Sequence, residues 1–176
     1  MTNCDPRIEE FMEAVESGQI RASKEVKALV SHVRKCFEEE DIYTDSEQLT
    51  KYIGIAKYFP FKELFPWQMF VVGLHDCTYW RKAGTPRWPD LFCMLGRGAG
   101  KDGTIAWEAA CLTSPYNDIR GYDVDICANN EEQALRPVKD IVEAFEQPAY
   151  TKKLKKYYYW TSEKVVGTTT KSTILG

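Results

Sequence analysis

The stretch from Leu91 to Ser114 constrains the fold more than any other. An apolar run, LFCML, leads into a glycine loop, GRGAGKDG (Gly96–Gly103), and then into TIAWEAACLTS, which has helical composition. Strand, glycine loop and helix in that order is the layout of a phosphate cradle. Wrapping the backbone close to phosphate oxygens requires small residues, inward-facing N–H groups and a helix N-terminus behind them. Gly96, Gly98, Ala99 and Gly100 are the small residues, and Lys101 is a mobile cation for the β- and γ-phosphates. Two positions depart from G-x-x-x-x-G-K-S/T: Leu95 stands at the first glycine, and Asp102 stands where a hydroxyl normally ligates magnesium. A carboxylate there can hold the ion, directly or through water, but it repels phosphate.

The same loop has a rival reading. Gly98 to Gly103 satisfies G-x-G-x-x-G, and Asp123 follows Gly103 at the distance where a dinucleotide site places its ribose-binding acid. Asp123 falls near the start of a predicted strand, however, whereas that acid belongs at a strand's end. A lysine inside the loop also favours a nucleoside triphosphate. The plain alternative is a glycine-rich turn with no ligand.

Helical spacing predicts helices over residues 6–17 and 22–39, the second with Ser23 as N-cap. A third runs from Asp45-Ser46 to about Ala56, and a fourth, with Pro66 in its first turn, from about Trp67 to Tyr79. Residues 80–90 read as a loop. Tyr122–Ala128 reads as a strand, and Asn129-Asn130 cap a helix through about Phe145. After a basic KKLKK segment, YYYWTS, KVVGTTT and STIL read as short strands.

At 176 residues, 44% hydrophobic and 13% aromatic, the chain can bury a core and is not a disordered polymer. Its net charge of −3 lacks the basic excess of a compact nucleic-acid module, so any DNA contact has to be local. No apolar run approaches the ~20 residues of a membrane span. The N-terminus lacks the basic start and apolar block of a secretion signal. Without an export signal or a C-x-x-C pair, Cys4, Cys36, Cys77, Cys93, Cys111 and Cys127 read as reduced and cytoplasmic. His32 and His75 have no ligands at zinc spacing and read as structural.

LGRGAGKDGTIAWEAACL resembles the ATPase-motor segment of tailed-phage terminase large subunits, with Arg97 and the small residues before Gly100-Lys101 matching that family's deviant Walker A. LFPWQMFVVGL resembles the segment in which a Trp-Gln pair opens a helix near the adenine pocket. DVDICANNEEQALRPVKDIVEAF resembles the family's second strand and helix, and TTTKSTILG the run before the Walker B acid. The likeness spans roughly residues 60–176; residues 1–59 match nothing nameable.

The resemblance implies a P-loop NTPase-like α/β fold: a mainly parallel sheet built from about residue 91 onward, flanked by helices. Residues 1–59 would form a helical N-terminal extension, and 60–176 the front part of the ATPase domain, ending before Walker B and the nuclease. It implies ATP and Mg2+ as ligands. In the full-length protein it implies a motor driving double-stranded DNA into a capsid, in a homo-oligomeric ring with portal protein and small terminase subunit, in the host cytoplasm. ATPase activity would belong to that full-length protein.

Under this reading Gly96, Gly98, Ala99, Gly100 and Gly103 allow close backbone approach, and Lys101 contacts the phosphates. Arg97 either offsets charge on the γ-phosphate or pairs with a neighbouring acid. Asp102 either sits near magnesium or simply favours the helix dipole. Gln68 could read the adenine edge, with Trp67 a core residue beside it. Glu131 and Gln133 read as helix-capping residues. Lys152, Lys153, Lys155 and Lys156, beside Tyr157–Trp160, read as a solvated helix end before a packed strand rather than a DNA contact. The competing functions are a dinucleotide-binding oxidoreductase fragment and a non-enzymatic truncated remnant.

Overall fold

The computed structural model describes residues 3–61 and 63–176. It is a mixed α/β chain that divides into two compact units, one of residues 1–50 and 64–93, the other of residues 51–63 and 94–176.

In the first unit, α1 (Pro6–Glu16), α2 (Lys24–Glu39) and α4 (Pro66–His75) bury a shared apolar core that includes Ile8, Met12, Val15, Val30, Val33 and Phe70. Apolar residues at helical spacing put these side chains on one stripe of each helix. Ser23 caps α2 by accepting the Val26 N–H at 3.3 Å, as its position predicts. Gly73 lets α4 approach α1 closely: a Cβ there would lie 2.9 Å from Ile8 Cδ1. Trp67 packs against this core.

Helix α4 ends at His75, four residues before the predicted end at Tyr79. Thr78–Trp80 is instead a strand, β2, paired antiparallel with β1 (Ile42–Thr44). Neither strand is legible from periodicity, because three residues are too few to show it. Helix α3 (Ser46–Ile55) follows β1.

Asp5 is 1% exposed and caps α1, accepting from the Arg7 N–H at 2.9 Å and from the Arg7 guanidinium at 2.7 Å on each oxygen. Burial is the largest single influence on its carboxyl and pushes the pKa up. The hydrogen bonds from Arg7 and Ser46 together outweigh it, so the net pKa lies below the ordinary 3.8. A folded pKa below the unfolded one gives stability above the unfolded value that is lost as pH falls through the folded one. Asp5→Asn is therefore expected to cost about 1–3 kcal/mol near neutrality. In denaturation curves taken at descending pH, the gap from wild type should close in strongly acidic solution. A constant gap across that range would refute the assignment.

In the second unit, α5 (Lys101–Leu112) packs on α6 (Glu131–Glu146), which in turn packs on β5 and β6 of a four-stranded sheet. The sheet order is β3 (Val124–Asp125), β6 (Thr173–Leu175), β5 (Lys164–Gly167), β4 (Tyr158–Trp160). Only β3 and β6 are parallel; β6–β5 and β5–β4 are antiparallel. The expectation of a mainly parallel sheet thus gives way to a mixed one. The links at 161–163 and 168–172 are hairpin-length, which forces antiparallel neighbours, whereas the parallel pair is reached by the long crossover through α6. Asn130 caps α6 by accepting the Gln133 N–H at 2.9 Å. A four-residue helix, α7 (Thr151–Leu154), precedes β4.

The predicted strand over residues 91–95 does not form. Leu91, Phe92 and Met94 are exposed and the segment has no regular structure. A strand exists only where a neighbour takes its backbone hydrogen bonds, and none of the described strands pairs with this one. Among the described residues no helix is long and apolar enough to cross a membrane.

Candidate glycine-loop site at the start of helix α5

Helix α5 begins at Lys101, directly after the glycine loop. The Ala99 N–H donates to the Gly96 carbonyl at 3.2 Å, closing a turn whose third residue is Gly98 at φ +81°. A type II turn needs a positive φ there, which is why glycine fits. Gly100 is the N-cap of α5 and also left-handed, at φ +84°. Its carbonyl accepts the Thr104 N–H at 3.0 Å and the Thr104 hydroxyl at 2.9 Å, which fastens the loop to the helix.

Gly100 has no side chain to cap the first N–H groups of α5, whereas α1, α2 and α6 are capped by Asp5, Ser23 and Asn130. The first N–H groups of a helix have no intrahelical partner. They add to the positive end of the helix dipole. Lys101 adds a full charge to the same end and is exposed. The loop can therefore receive an anion, with the backbone and one ammonium as donors.

The remaining expected residues divide. Arg97 is exposed and makes no ion pair among the described residues, so the salt-bridge alternative for it is not realised. Asp102 is exposed in the first turn of α5. Gln68 lies in the other compact unit, 4% exposed, with its Oε1 accepting the Phe65 N–H at 2.7 Å. That oxygen serves the start of α4. Asp123 Oδ1 accepts the Thr173 N–H at 2.8 Å and so holds the start of β6 beside β3, a structural use of the acid that the dinucleotide reading reserves for ribose.

Two residues escaped sequence reasoning. Phe61 is 37% exposed, stacks on Phe59 with ring centroids 5.3 Å apart, and would lie 3.3 Å from a Cβ at Gly103. It places a ring beside the first turn of α5. Asp140 on α6 has its carboxyl pKa raised, first by burial and then by the charges of Glu143 and Asp102. Neither residue was singled out by its local sequence, and both enter only because the fold brings distant segments together.

None of the six cysteines is in a disulfide. Burial pushes the Cys4 and Cys77 thiols far up, so they remain protonated and act as apolar packing groups. The His75 Nδ1 lies 2.7 Å from the Trp88 carbonyl, a structural contact. Set against known protein families, curated proteins and solved structures, the chain matches none.

Proposed function

We propose that the Gly96–Gly103 loop binds the phosphates of Mg-ATP, and that the chain is the ATP-binding part of a viral DNA-packaging motor of the terminase large-subunit type, with a P-loop NTPase-like fold. The observation that carries the nucleotide reading is the conjunction at the start of α5. Two left-handed glycines, an N-terminus without a side-chain cap and Lys101, which makes no ion pair among the described residues, all converge on one exposed loop. The motor role rests on the sequence resemblance over residues 60–176.

The donor set fits a nucleoside triphosphate. Backbone N–H groups and Lys101 hold the phosphates, Arg97 adds a second cation, and the Phe61 ring offers a face for a base. Asp102, exposed in the first turn of α5, offers a carboxylate to a divalent cation, which when bound would offset phosphate charge. Gln68 serves the start of α4 through its bond with the Phe65 N–H and belongs to the other compact unit, so no nucleotide contact is assigned to it. In the intact motor the partners would be double-stranded DNA, the portal protein and a small terminase subunit, with protomers arranged in a ring in the host cytoplasm.

Calorimetric titration of Mg-ATP into wild type and Lys101→Ala tests this. Wild type is expected to bind and the variant to bind about tenfold more weakly, the worth of one charge-assisted contact. A folded wild type that binds no ATP, or a variant that binds equally well, would overturn the proposal. Binding of NAD instead would establish the dinucleotide alternative.

A further inference from the structure

A cavity lies away from the glycine loop within the second unit, between the C-terminal end of α5, α6, α7 and β4. Its volume is about 280 Å³. The walls are largely aromatic: Tyr58, Tyr116, Tyr157, Tyr158 and Phe145 line it, with Lys153 as its cation. The rings are fixed. Tyr58 meets Tyr150 edge-on at 5.0 Å, and Phe145 packs on Tyr158 at 4.9 Å and on Trp160 at 5.6 Å. Tyr116 and Tyr157 are 47% and 40% exposed and stand at the mouth. The Ser114 hydroxyl is already used, donating to the Cys111 carbonyl at 2.7 Å and accepting the Tyr116 N–H at 3.2 Å.

We infer that this cavity binds a small planar aromatic molecule carrying an anionic group, with the ring between the tyrosines and the anion on Lys153. The size favours one or two rings, since pockets for drug-sized ligands run from about 300 to 1,000 Å³. Aromatic walls favour a flat ligand that can stack or meet ring edges. Lys153 is exposed and lines the cavity together with Tyr58, Tyr116 and Tyr157, and no carboxylate of the described residues lines it. The neighbouring Tyr58 phenol raises the Lys153 pKa, so the side chain stays an ammonium. The site is independent of the nucleotide reading, because none of its lining residues belongs to the glycine loop.

Backbone-amide NMR titration with indole-3-acetate and with indole separates the possibilities. Indole-3-acetate at millimolar concentration is expected to give saturable shifts at Ser114, Tyr116 and Leu154. Lys153→Met should weaken it about tenfold while leaving indole unchanged. Lys153 is a surface side chain, so that variant keeps the fold. Absence of saturable shifts, shifts confined to residues 96–103, or equal loss of both ligands in the variant would each overturn the inference.

Discussion

Trp107→Ala is expected to destabilise the second unit by about 3–5 kcal/mol, the range for removing a large aromatic from a packed core. Trp107 is fully buried on the inward face of α5, and its indole Nε1–H donates to the Tyr52 carbonyl at 3.0 Å. The Cys111 thiol also reaches that carbonyl, at 3.6 Å, one turn further along the helix. Truncation leaves a cavity and strips the indole donor from a buried acceptor. Trp107→Phe retains much of the volume but loses the donor, so its cost should be nearer 1–3 kcal/mol. Because α5 carries the glycine loop at its N-terminus, the alanine variant should also lose hydrogen-exchange protection along α5 and α6. Exchange protection within about 1 kcal/mol of wild type in those helices would show that Trp107 does not anchor α5.

Gly167→Ala should cost about 2–4 kcal/mol, although a single methyl is added. Gly167 ends β5, and a Cβ there would fall on top of the Thr170 hydroxyl, 2.2 Å from Oγ1, and 3.2 Å from the Thr113 carbonyl. Thr170 is buried, and its hydroxyl donates to that same carbonyl at 3.0 Å, tying the β5–β6 turn to the end of α5. The Thr170 side chain can make room only by breaking this bond. The Thr113 carbonyl, flanked by buried Thr113 and Ser114, then loses a partner, and overpacking strain adds to the loss. The companion Thr170→Val removes the hydroxyl without adding a clash at Gly167, so it separates the hydrogen bond from the strain. If Gly167→Ala proves as stable as wild type in urea titration, the turn is not locked in this way.

The helices were readable because each carries its own signals. Val26, Val30 and Val33 recur at helical spacing behind the Ser23 cap, and Asn130 stands one residue before α6. Even Pro137 inside α6 does not break it: the helix continues to Glu146 around this buried proline, because packing on β5 and β6 outweighs one lost backbone bond. The glycine loop was equally readable, since positive φ at Gly98 and Gly100 is a local demand that glycine meets without strain. Its acidic and aromatic neighbours, Asp140 and Phe61, were not readable, since each comes from a segment remote in sequence.

Local chemistry therefore decided the helices, their caps and the cation at the start of α5. Pairing decided the rest. LFCML has the composition of a strand yet stays exposed, while the brief runs 42–44 and 78–80 become strands because they find each other. The same logic turned Gln68 from a candidate base reader into a partner of the Phe65 amide, and Asp123 into a partner of Thr173. A helix satisfies its hydrogen bonds within its own segment, so residues alone can specify it. A strand, or a polar side chain with several possible partners, is completed only by what the tertiary structure sets beside it.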